Sequence, residues 1–246
     1  MDKVKIISRL KSQEMTEFIN YCRNILISIK EILPKETTIA SWDDESNKLY
    51  SFQNSLSDFN EHNLDKILIF NKKEDVFKNF DSNDKELRID SRSWIGFSTL
   101  IYFKSNPKNE ESEISISIVQ GAFEKNQTAL INIEFSDTFL NMATKEVFIN
   151  LLKVIEQTND LLYAVVISNE FRRKVKISGQ NLWIGYITYF KDKIKKESFP
   201  NTLNVSELVH GTVICLDEKM NLTQENINKA LEIRDVLGID VLNYHT

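Results

Sequence analysis

Three histidines, two cysteines and a few runs of adjacent carboxylates are the groups from which this chain would have to build any chemistry. His62, His210 and His245 do not fall at metal-ligand spacing. A nucleophile and base would have to come from Cys215 and His210. If both lie on one strand, their odd separation puts them on opposite faces, so Cys215 reads as a small buried hydrophobe, as does Cys22. Carboxylates cluster at Asp43-Asp44-Glu45 and at Asp217-Glu218. Either pair has the composition of a metal site or an acid–base couple, but neighbours on a strand diverge, and a strand-end turn leading into a helix is the plainer account of Asp217-Glu218. No Gly-x-Gly-x-x-Gly and no phosphate loop occurs, and the chain has only six glycines, so a nucleotide cradle has little to be built from. The expectation is therefore no catalytic residue, no metal ligand and no cofactor. A metal-dependent hydrolase or nuclease with unmarked carboxylates is the alternative, and a non-catalytic regulatory module is a further one.

The elements that would position these groups are best defined near the end of the chain. Leu182 to Phe190 predicts a strand with Trp183, Gly185, Ile187 and Tyr189 on one face and an equally apolar second face, hence a strand covered on both sides. Gly185 inside it marks a close approach or a bulge. Gly211 to Leu216 predicts a second strand. Thr223 is a good N-cap for a helix ending at Gly238, with Ile227, Ala230, Leu231, Arg234 and Leu237 at helical spacing.

Further helices are expected over 12–33, with Ser12 as cap, Pro34 as stop and a face of Met15, Phe18, Ile19, Cys22, Ile25, Leu26 and Ile29, and over 144–158, with Val147, Phe148, Leu151, Leu152 and Ile155 inward. Residues 60–80 have an ambiguous helical look. Strands are expected at 3–10, 39–42, 49–52, 94–103, 114–118, 129–135 and 161–167. Isoleucines alternating with serines over Ile114 to Ile118 predict one wet face. Strands outnumber helices without regular alternation, which predicts an α+β fold: a mixed or antiparallel sheet flanked by helices. The chain reads as one domain over 1–246, or two closely packed halves, with Asp81 to Asp90 the place for an internal boundary. Trp94-Ile95-Gly96-Phe97 echoes Trp183-Ile184-Gly185-Tyr186, either as a duplicated half or as two similar core strands.

Composition narrows the function classes. Hydrophobic residues make up 41% and charged residues 27%, ordinary for a globular protein, and the net charge of −5 disfavours nonspecific nucleic-acid binding. Arg172, Arg173, Lys174 and Lys176 form a basic cluster that reads as a solvated loop. No apolar run approaches the roughly 18 residues of a membrane span. Met1 to Arg9 lacks the apolar core of a signal peptide, so the expected location is the cytoplasm.

From Leu182 onward the chain resembles the bacterial immunity protein 52 family, found among polymorphic-toxin and type VI secretion immunity proteins. The resemblance is carried by Trp183, Gly185, Tyr189, Gly211, Thr212, Asp217, Glu218, Ala230, Arg234 and Gly238, in that order. The family's Phe shortly after Asp-Glu is replaced here by Met220 or Leu222. Further forward, Trp42 and the Trp94–Gly96 stretch also look similar. These residues describe a scaffold and carry no chemistry. What the resemblance implies is a protein that neutralises a cognate bacterial toxin by direct contact, and the family's association with nuclease toxins makes a nuclease the expected partner. The expected contact residues are Trp42, Asp43, Asp44 and Glu45, together with Asp81, Asp84 and Glu86, where acid sits beside an aromatic.

Overall fold

The computed structural model describes residues 2–9, 15–33, 36–43, 46–69, 97–105, 113–120, 128–158, 160–177, 182–191, 194, 199 and 203–238. The chain divides into two units, one of Arg9–Leu130 and one of Met1–Ser8 with Ile131–Thr246. The expected boundary at 81–90, the helix start at 10–14, the Trp94–Gly96 stretch and residues 70–80 lie outside the described residues. Each unit mixes helices with strands, and every strand pair whose register is defined is antiparallel, which gives the α+β class expected.

β1 spans Asp2–Arg9. The Arg9–Leu130 unit then opens on α1, Met15–Glu31. Its inward face of Phe18, Ile19, Cys22, Ile25, Leu26 and Ile29 is buried as the spacing predicts. Thr16 donates to Glu61, and Lys30 Nζ donates to the Asn54 carbonyl at 3.2 Å. These two bonds tie both ends of α1 to the segment that follows the sheet's first hairpin.

That sheet has the strand order β3-β2-β4-β5, from β2 (Thr38–Asp43), β3 (Lys48–Ser51), β4 (Phe97–Lys104) and β5 (Ile114–Gln120). The register pairs Ile39 with Phe103, Ile101 with Ile116 and Phe103 with Ile114, so these side chains share one face and are all buried. Residues 52–69 contribute Phe52, Leu56, Phe59, Ile67 and Leu68 to the core. They do so through turns, a 3-10 turn at Glu61–Asn63 and a single helical turn, α2, Leu64–Ile67, rather than the longer helix suggested by 60–80. Asp58 explains part of this. Its carboxylate accepts from Tyr50 Oη at 2.9 Å and from the Gln53 amide at 3.0 Å, which favours a turn over a continuing strand.

In the second unit the strand order is β6-β1-β7-β8-β10-β9. It comprises β6 (Thr128–Phe135), β7 (Asp160–Ser168), β8 (Ile187–Phe190), β9 (Asn204–Glu207) and β10 (Thr212–Cys215). The helices are α3 (Asp137–Met142), α4 (Lys145–Thr158), α5 (Asn169–Val175) and α6 (Gln224–Leu237). Side-chain caps from Ser136, Ser168 and Thr223 start three of them, and Gly238, at φ +77°, closes α6 as expected.

Three readings of the sequence need correction here. The strand expected from Leu182 begins only at Ile187. The backbone of Trp183 is taken by a side chain, since Tyr163 Oη accepts from the Trp183 amide at 2.8 Å and donates to its carbonyl. The Gly185 amide goes to Thr188 Oγ1 at 3.0 Å. With those groups occupied no ladder forms there. The inward face of α6 is Asn226, Ala230 and Ile233, whereas Ile227, Leu231 and Leu237 are half-buried. Asn226 is held inward because its Nδ2 donates to the Asn221 carbonyl at 2.8 Å and to Asp217 at 3.4 Å. The basic cluster expected in a loop lies mostly on α5, where Arg172, Arg173 and Lys174 are exposed; Lys176 follows as its cap.

Candidate interaction surface

A period of two in a sheet gives each strand a second face, and in the Arg9–Leu130 unit that face has an unusual make-up. Trp42 pairs with Leu49, Ala40 with Tyr102 and Ser51, Tyr102 with Ser115, Leu100 with Ser117 and Ser98 with Val119. These residues, with Thr38 and Lys104, share the side opposite the isoleucine core, and none of them is acidic. Leu49, Leu100, Tyr102 and Val119 are half-buried, and partial burial raises the Tyr102 hydroxyl above its ordinary value. Trp42 is 47% exposed, the most exposed aromatic among the described residues. Ala40 and Lys104 on this face are buried, so its open part is the β2–β3 edge around Trp42 and Ser51, where a large indole has the character of an interface anchor. The wet face predicted for Ile114 to Ile118 is part of it.

The neighbouring acid is less uniform than the sequence suggests. Asp43 is 7% exposed and points to the core side of β2. Its carboxylate pairs with Lys66 Nζ on α2 at 2.8 Å and accepts from Ser46 at 2.7 Å. The two carboxylates of Asp43 and Asp65 raise the Lys66 ammonium above its ordinary value. Asp43 is therefore a structural tie between hairpin and helix, and leaves the set of expected contact residues. Asp44, Glu45, Asp81, Asp84 and Glu86 lie outside the described residues. Lys66 carried no sequence signal, because its partner is distant along the chain.

The residues from Trp183 to Gly238 that were expected to be scaffold all sit in the second unit. Trp183 is 9% exposed, with the Arg172 guanidinium 5.3 Å from its ring centroid. At Gly185 an added Cβ would stand 2.3 Å from the Val166 carbonyl oxygen, and at Gly211 it would stand 2.2 Å from that of Phe190, so both glycines are required by close backbone approach. Thr212 is buried and its hydroxyl accepts from the Ile194 amide at 3.0 Å. Asp217 accepts from the Glu218 amide at 2.6 Å, and Glu218 is ion-paired to Lys145, which holds that ammonium above its ordinary value. The two adjacent carboxylates thus serve different partners and do not converge. Ala230 is buried, and Arg234 meets Asp235 at 2.8 Å.

Tyr189 leads to a group that sequence reasoning missed. Its hydroxyl donates at 2.9 Å to Glu156, a carboxylate on the buried side of α4 that is 3% exposed. The same carboxylate accepts the His210 amide at 2.9 Å and the Val209 amide at 3.2 Å. Both oxygens are engaged, which is what allows a carboxylate to be buried. Cys22 and Cys215 are buried as expected; burial pushes the Cys215 thiol up to about 11. Among the described residues no three His, Cys, Asp or Glu side chains stand close enough to hold a metal ion. No helix among them is long and apolar enough to cross a membrane.

No family model matches the sequence, and no curated protein does. A solved structure, that of Pseudomonas aeruginosa T6SS protein PA0821, is similar in fold. It superposes with a TM-score of 0.56 at 7% sequence identity, over 100% of this chain and 73% of that one. At that identity the likeness is one of fold.

Proposed function

We propose that this protein is an immunity protein: it neutralises a cognate bacterial toxin, a nuclease, by stoichiometric binding and without turnover. The observation that carries this reading is the sheet face of the Arg9–Leu130 unit, where a 47% exposed Trp42 stands among half-buried Leu49, Leu100, Tyr102 and Val119 with no acid. Such a surface is suited to holding another protein. Two likenesses support it: the stretch from Trp183 to Gly238 resembles the immunity protein 52 family, and the fold resembles that of a T6SS protein. On this reading the protein works in the cytoplasm of the cell it protects. Asp44 and Glu45, which follow Trp42-Asp43 in the sequence, steer the complex toward a basic nuclease surface.

The test is titration of the purified protein against the toxin encoded beside its gene, with nucleic-acid cleavage as readout. Inhibition that is complete at one protein per toxin, with a co-migrating complex, is the expected result. Absence of a complex, or protection at clearly substoichiometric amounts, would overturn the proposal.

A further inference from the structure

The β9–β10 hairpin closes with a two-residue loop. Glu207 pairs with Thr212, the Leu208 amide donates to the Gly211 carbonyl at 2.9 Å, and only Val209 and His210 lie between. Loops of this length favour Asn-Gly or Asp-Gly, because the matching turns need positive φ. Here the loop is Val-His, and neither residue has positive φ: among described non-glycine residues only Asn47, Leu56 and Met220 do. The local sequence does not encode this turn. It is held from outside by Glu156, whose buried carboxylate accepts the amide hydrogens of both loop residues and is itself fixed by Tyr189. Gly211 allows the loop to sit directly against Tyr189 and Phe190.

The turn so held displays Val209, 66% exposed, more than any other large hydrophobic residue described. A β-branched apolar side chain at the tip of a loop contributes nothing to the turn and costs hydration. Places where a local rule is broken and then supported by a buried polar group are where function is to be sought. A convex tip with one uncharged isopropyl group matches a small apolar pocket on a folded protein, and immobilising it beforehand removes part of the ordering cost of binding.

We propose that the Val209–His210 tip is a preorganised anchor that inserts into an apolar pocket of the protein partner, with Glu156 as its positioning residue. The proposal rests on the toxin-binding reading above and adds a contact in the second unit.

The experiment measures association and dissociation rates of the full chain with the toxin encoded beside its gene, catalytically inactivated, together with the melting temperature of each variant. Val209→Asp should weaken binding about tenfold or more with an unchanged melting temperature, whereas Val236→Asp, at the 47% exposed valine of α6, should leave affinity unchanged. Glu156→Gln should lower the melting temperature and slow association. Ile233→Ala, which lowers the melting temperature from α6 and leaves the tip intact, should not slow association; a merely structural Glu156 would make Glu156→Gln behave in the same way. Wild-type binding that Val209→Asp leaves intact overturns the anchor and spares the immunity reading; no wild-type binding removes both. Self-association of the free protein that Val209→Asp abolishes, with toxin affinity intact, would also overturn it, assigning the tip to a second copy.

Discussion

Tyr163 and Trp183 are joined by a reciprocal pair of hydrogen bonds: the tyrosine hydroxyl accepts the tryptophan amide hydrogen at 2.8 Å and donates to the carbonyl of the same residue. A side chain of β7 thereby does the work of a strand neighbour, and the chain enters β8 late. Burial holds this hydroxyl far above its ordinary range, with the hydrogen bond from the Trp183 amide opposing the shift.

Tyr163→Phe keeps the ring and its packing on Phe190, whose centroid lies 5.6 Å away, and removes only the hydroxyl. The Trp183 amide and carbonyl then lose that partner. Each such group costs about 1–3 kcal/mol. A drop in melting temperature of about 2–4 °C per kcal/mol is expected at this chain length. Calorimetry that finds the variant as stable as wild type would show that water or a relaxed backbone replaces the hydroxyl.

Alkaline conditions should destabilise the protein partly through Cys215. Burial raises its thiol from the ordinary 9.0 to about 11. The folded state therefore keeps the proton to higher pH than the unfolded chain does. Its contribution is full below about pH 9 and fades as pH rises toward about 11. In Cys215→Ala the stability loss across that window should be shallower than in wild type, as measured by denaturant midpoints at each pH. Thiol reagents at pH 8 should leave Cys215 untouched until the protein unfolds. Fast labelling of the native protein would contradict this account.

The two described tryptophans should behave oppositely. Trp183 is 9% exposed and packs within the second unit, so Trp183→Ala should cost about 3–5 kcal/mol. Trp42 is 47% exposed, and Trp42→Ala should change stability by about 0.5 kcal/mol while weakening toxin binding sharply. Thermal melts and affinity measured on both variants separate the roles. A Trp42→Ala variant that melts much lower and binds normally would move this residue into the scaffold.

What could be read in the sequence was what repeats at short range. The α1 face from Phe18 to Ile29 and the alternation over Ile114 to Ile118 follow from periods of 3.6 and 2, and the Thr223 and Gly238 caps from local hydrogen bonding. What could not be read were long-range substitutions for local rules. Tyr163 replaces a strand neighbour at Trp183, Asn226 turns α6 by reaching back to Asn221, and Glu156 supplies the hydrogen bonds of a distant hairpin. The surface was legible only in part: Trp42 is exposed as expected, but Asp43 beside it is buried against Lys66, whose position no periodicity marks.

That pairing changes how electrostatic steering must be tested. Reversing Asp43 would set a lysine against Lys66 beside the core, so Asp43→Lys should lower the melting temperature and confound any rate. The informative variant reverses Asp44 and Glu45 and leaves Asp43 alone. Protection from a nuclease needs a complex of roughly nanomolar affinity, about −12 kcal/mol. Most of that should come from desolvated anchors such as Trp42, and little from rim charge. Steering acts instead on the encounter, raising association by about 10–10³-fold at low salt. Asp44→Lys with Glu45→Lys should therefore slow association with the toxin, most strongly at low ionic strength, and leave dissociation nearly unchanged. Added salt should narrow the gap between variant and wild type, because a Debye length of about 8–10 Å screens exposed charge. If association is indifferent both to salt and to the reversal, these acids do not steer, and the partner's contact surface is not basic.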